Sequence, residues 1–85
     1  MIYYERKIPM VTVEIQLTSM KDIKDFVFIA GKYPFDIDVI SGRYVVDAKS
    51  VMGMLSLNPA APMNVESHTS KCKEFLDEIK PFMIH

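Results

Sequence analysis

The apolar residues change their repeat once, abruptly, near residue 18, and that change dictates what the chain can build. Val11, Val13, Ile15 and Leu17 alternate with Thr12, Glu14 and Gln16, the period-two pattern of a strand with one dry and one wet face. From Ser19 the spacing becomes helical. Ile23, Phe26, Val27 and Ala30 fall at i, i+3, i+4 and i+7, with Lys21, Asp22, Lys24 and Asp25 on the other side. Thr18 and Ser19 are the candidate caps, Ser19 and Asp22 imitate a capping box with the shorter acid, and Gly31 is the expected stop. A strand thus passes into an amphipathic helix with no linker.

The same reading continues down the chain. Phe35, Ile37 and Val39 alternate with Asp36 and Asp38 as a second strand, and Ser41-Gly42 turns it into Tyr44 to Ala48, a hairpin. Val51 to Leu57 fits a short helix capped by Ser50, weakened by Gly53 and ended by Asn58-Pro59. Met63 to Glu66 supplies a further strand, and Ser70 to Met83 returns to helical spacing through Phe75, Leu76 and Ile79, with Cys72 on the same side. The order is βαββαβα. Helices crossing one face of a four-stranded antiparallel sheet give an open-faced two-layer α+β sandwich. With 85 residues the chain has room for one domain, 1–85. Residues 1–9 stay open as an N-terminal extension, since Ile2, Tyr3 and Tyr4 look strand-like while Pro9 interrupts ladder bonding.

Composition then excludes several functions. Ten Lys plus Arg against eleven Asp plus Glu leave a formal charge of −1, so no general cationic field exists to attract phosphate backbones or anionic lipid. Neither nucleic acid nor membrane is expected as a partner. The single cysteine, Cys72, forms no internal disulfide and has no clustered ligands for zinc, which fits a reducing, cytoplasmic setting. No Gly-rich phosphate loop, nucleophile elbow, zinc motif or catalytic dyad is present. The expectation is a protein that is not an enzyme, without cofactor or metal.

The run Ala48-Lys49-Ser50-Val51-Met52-Gly53-Met54-Leu55-Ser56-Leu57, with the element order, resembles the histidine-containing phosphocarrier family, HPr, of the bacterial sugar phosphotransferase system. Members of the low-GC Gram-positive type read Lys-Ser-Ile-Met-Gly followed by Val-Met-Ser-Leu there. The likeness runs more weakly from about Met10 to Phe82 and implies an HPr-like fold. One departure is decisive. Where the family shows Gly-Leu-His-Ala-Arg-Pro-Ala, this chain has Leu17-Thr18-Ser19-Met20-Lys21-Asp22-Ile23. A gapless count from Ser50 puts Ser19 at the position of the phosphoryl-accepting histidine, Lys21 at the arginine and Asp22 at the proline. An imidazole forms a labile phosphoramidate, whereas a serine hydroxyl without a built-in base gives a far less labile ester.

Each candidate residue has a plain reading beside the sharper one. Ser19 is an N-cap first, and an anion site with Lys21 second, a role Asp22 opposes. Ser50 caps the short helix by composition alone; the resemblance implies that it is also the target of a regulatory kinase and phosphatase. Met20, Lys21, Met52 and Met54 are the expected partner-binding residues, with core filling the alternative for Met52, Met54 and Met63. His68 reads as a solvated loop or cap, His85 as the chain end, and Cys72 as a buried thiol. Asp36 and Asp38, about 7 Å apart on one side of a strand, read as a wet face rather than a site for a hard cation. The resemblance implies proteins of the phosphotransferase system, or a carbon-regulation factor or kinase, as partners. A regulatory module without histidine relay is the expected function. A phosphocarrier with a non-standard acceptor and a structural or oligomer-forming relic are the alternatives.

Overall fold

Four side chains line up across the dry face of one sheet: Val13, Val65, Val39 and Val46 are successive cross-strand partners. They belong to β1 (Val11–Ile15), β4 (Met63–Ser67), β2 (Ile37–Ser41) and β3 (Tyr44–Asp47), which form an antiparallel sheet in the order β1-β4-β2-β3. The computed structural model describes residues 9–59 and 61–84. Helices α1 (Met20–Gly31), α2 (Val51–Leu55) and α3 (Lys73–Ile79), the last continued by a 3₁₀ turn at Lys80–Phe82, complete the order expected from the sequence. The question of strand structure in residues 1–8 lies outside the described residues.

The helices and the dry face of the sheet enclose one core. Ile23, Phe26, Val27 and Ala30 of α1 are all buried, as their spacing predicts, together with Ile15, Leu17, Ile37, Val39, Met54, Leu57, Met63, Val65, Phe75 and Ile79. Phe26 and Phe75 meet edge to face with centroids 6.3 Å apart, and Phe75 makes similar contacts with Tyr33 at 5.4 Å and Phe35 at 6.0 Å. Such geometries set the positive ring edge against the negative face.

Several boundaries differ from the sequence expectation for identifiable reasons. The second strand starts at Ile37 rather than Phe35, and runs on to Ser41 because the hairpin loop is only Gly42-Arg43. Gly42 has φ of +59° and Arg43 does not share a positive φ, the pattern of a two-residue turn that needs glycine at its first central position. Gly31 ends α1 without entering the left-handed region. Lys32 and Tyr33 instead donate their N–H groups to Ile29 and Ala30, tightening the last turn. The final helix is shorter than Ser70 to Met83: Cys72 stands at its N-cap without a side-chain cap, and Pro81, which has no N–H to continue the α pattern, falls in the 3₁₀ turn.

The core holds one polar exception. Ser67 is fully buried between Val11 and Ile37, and its hydroxyl has no hydrogen-bond partner among the described residues. An unsatisfied buried hydroxyl costs about 1–3 kcal/mol. Ser67→Ala is therefore expected to stabilise the domain by about 1 kcal/mol, a rise of roughly 4–8 °C in Tm. A lowered Tm in calorimetry would contradict this account of the site.

Candidate functional site

The start of α1 is the position singled out by the sequence, and its geometry is that of a closed cap. Ser19 is extended (φ −145°, ψ 164°), and its hydroxyl accepts from the Asp22 N–H at 3.1 Å. The Asp22 carboxylate reaches back one residue further than in a standard capping box, accepting from the Thr18 N–H at 3.2 Å and the Thr18 hydroxyl at 3.1 Å. A negative group thus stands among the amides that an incoming anion would use. Lys21 is tied to Asp25 at 2.7 Å, one helical turn on. That hydrogen bond and charge hold its ammonium pKa above the ordinary lysine value. The pair is solvent-exposed, which limits what it contributes to stability.

Ser50 is built the same way at the start of α2. Its hydroxyl accepts from the Gly53 N–H at 3.2 Å, and the residue is half-buried in an extended conformation. The chain enters this cap through a turn made by the Asp47 carboxylate, which accepts from the Lys49 N–H at 2.9 Å. Lys49 in turn donates its ammonium to the Tyr33 carbonyl at 2.7 Å, which ties the approach to α2 to the end of α1.

The four candidate methionines separate cleanly. Met20 is 60% exposed and Met52 80%, while Met54 is 0% and Met63 1% exposed. Met54 therefore is not a partner-binding residue as the sequence suggested. Two residues along a helix turn a side chain through about 200°, so Met52 and Met54 take opposite faces and only one faces water. On the two helices the exposed large apolar residues are Met20 and Phe28 of α1 with Val51, Met52 and Leu55 of α2, and these helices pack against each other; Tyr44 and Val45 of β3 are exposed as well. Phe28 was not singled out from the sequence; its signal was an aromatic outside the i, i+3, i+4 stripe.

Elsewhere the structure relocates the remaining candidates. Cys72 is buried, as expected; His85 lies outside the described residues. Asp36 is exposed and outside the strand, so the Asp36 and Asp38 pair does not form. Asp38 Oδ2 instead accepts from His68 Nε2 at 2.9 Å, with Glu66 beside them. His68 lies in the loop after β4, as expected, and is partly exposed there, but its side chain also joins this cluster. The Glu66-x-His68 spacing at a strand end was the available signal, but its acidic partner is 30 residues away.

Glu78 forms a second cluster with Lys32 and Tyr33. The Lys32 hydrogen bond, followed by that from Tyr33, lowers the Glu78 pKa; the Glu78 hydrogen bond, then burial, pushes the Tyr33 phenol up to about 12. The signs differ. The Glu78 contribution is present above the usual carboxylate range and is lost as pH falls through its lowered pKa. The Tyr33 contribution is complete below 10, the phenol's ordinary value, and is lost as pH rises towards about 12. Following the Tyr33 ring by NMR should give a midpoint near 12, and Glu78→Gln should return it towards 10; an unchanged midpoint would remove Glu78 as the cause.

No protein-family model and no curated protein matches the chain. Solved structures are similar. A phosphocarrier protein HPr from Bacillus anthracis str. Ames aligns with a TM-score of 0.70 at 22% identity, over 88% of this chain and 98% of that one. HPr-C-His from Thermoanaerobacter tengcongensis aligns at 0.65 and 26% identity, over 86% and 88% of the two chains. The α+β architecture described above is therefore HPr-like.

Proposed function

We propose that this HPr-like domain is a regulatory, protein-binding module of the sugar phosphotransferase machinery that is controlled by phosphorylation of Ser50 and carries no histidine relay. The observation that carries the reading is the Ser50 cap. Its hydroxyl stands at the first turn of α2, and Val51, Met52 and Leu55 of that helix remain exposed. A phosphoryl group there adds about −1.5 to −2 charges at the positive end of a helix. It changes the charge next to apolar side chains that a partner protein would cover. Met20, Lys21 and Met52 are the docking residues of this reading, and Phe28, Val51 and Leu55 extend them. Partners would be proteins of the phosphotransferase system or a carbon-regulation factor, with a kinase acting on Ser50, in the cytoplasm.

The relay step is disfavoured by the chemistry of the α1 start. Ser19 offers an alcohol already engaged with the Asp22 N–H, and the Asp22 carboxylate repels an approaching phosphoryl donor. The domain binds and is modified; it is not itself an enzyme. Mass spectrometry tests both halves. A kinase acting on HPr-type serines, with ATP, should add about 80 Da, one phosphoryl group, to the wild type and to Ser19→Ala but not to Ser50→Ala. Phosphoenolpyruvate with the general phosphotransferase enzyme should leave no acid-labile label. Equal labelling of Ser50→Ala, or acid-labile phosphate on the chain, would defeat the proposal.

A further inference from the structure

The wet face of the sheet carries a row of acids. Asp47, Asp38 and Glu66 are successive cross-strand partners on β3, β2 and β4, with Thr12 of β1 next in line. Like charges placed directly opposite on neighbouring strands repel and destabilise a sheet. Asp47 has a local role, accepting from the Lys49 N–H. The Glu66 side chain has no hydrogen bond or ion pair among the described residues, where Asp38 pairs only with His68. His68 leaves β4 two residues after Glu66 and is held in place by its own N–H, which donates to the Asp36 carbonyl at 2.9 Å.

We propose that Asp38, Glu66 and His68 bind one divalent transition-metal ion of borderline softness, for which Zn²⁺ is the best match. Each of the three residues offers one ligand atom, and all three atoms lie within 4.8 Å of one another. Tetrahedral zinc with ligands at about 2.0–2.2 Å spaces its donors roughly 3.4 Å apart. All three residues are half-buried, so the small side-chain rotations that close the set meet little packing resistance. Two carboxylates and one imidazole suit zinc, with the fourth position left to water. Ca²⁺ and Mg²⁺ prefer oxygen-only shells of higher coordination number, which an imidazole does not complete. The ion would neutralise the acidic row and tie β2 to β4 through groups far apart in the chain. The sequence expectation of no metal site missed this, because neither Asp38 nor Glu66-x-His68 is a ligand set alone.

The test uses the full chain freed of metal with chelator, and Zn²⁺ itself as the probe. Calorimetric titration near neutral pH should show one saturable equivalent, with ¹⁵N amide shifts centred on residues 38, 66 and 68. His68→Ala and Glu66→Gln should each weaken binding by about tenfold or more, while His85→Ala should bind as the wild type. Mg²⁺ at equal concentration should cause no comparable shifts. The changed residues lie on the wet face, and circular dichroism checks that the variants fold. Absence of saturable binding would overturn the proposal. So would wild-type affinity in both His68→Ala and Glu66→Gln, which would place the ion on another group such as Cys72.

Discussion

Phe75→Ala is expected to remove about 3–5 kcal/mol of stability, the range for truncating a large aromatic in a packed core. Phe75 is fully buried, and its ring meets Phe26 of α1 as well as Tyr33 and Phe35 in the connection to β2. Three aromatic partners lose an edge contact at once, and the rings around the void are too large to collapse into it. A chain of this length commonly holds roughly 4–13 kcal/mol in total. The variant therefore loses between a quarter and all of its folding free energy, read as a shifted midpoint in urea. Phe28→Ala is the matched control. Phe28 is 72% exposed, and its truncation should stay within about 0.5 kcal/mol of wild type. A Phe75→Ala loss below 1 kcal/mol would mean that the aromatic cluster is not the centre of the core.

Met54→Ala should cost about 2–5 kcal/mol, and Met52→Ala, two residues away, less than about 0.5. Met54 is completely enclosed, whereas Met52 is 80% exposed. The same deletion of atoms therefore opens a cavity at one site and merely trims surface at the other. The contrast also separates stability from function. If α2 docks a partner, Met52→Ala should weaken that complex in a variant that folds as well as the wild type. Equal costs for the two substitutions, measured by urea denaturation, would put α2 in a different rotation from the one described.

The α1 stripe was legible because its cause is local. Ile23, Phe26, Val27 and Ala30 are spaced for one side of a helix, the polar residues take the other, and the four are all buried. Both serine caps were legible for the same reason. A side-chain oxygen reaching the amide three residues ahead is a matter of neighbouring atoms, and Ser19 and Ser50 both make that contact. The hairpin was legible from a glycine between two strand patterns, although the turn expected at Ser41-Gly42 falls one residue later, at Gly42-Arg43.

Met52 and Met54 show where local reasoning stops. In Val51-Met52-Gly53-Met54-Leu55 the apolar residues occupy every side of a five-residue helix, so no polar stripe marks the wet face. Only the packing of α2 on α1 and β3 selected Met54 for the core. The acidic row is the same lesson at longer range. Asp38 and Glu66 become neighbours because β2 and β4 pair in one register, and His68 joins them by leaving β4 on that face. Periodicity reports which residues share a side of their own element. It carries no information about which distant element arrives there, since that depends on sheet order and register, which the whole core selects together.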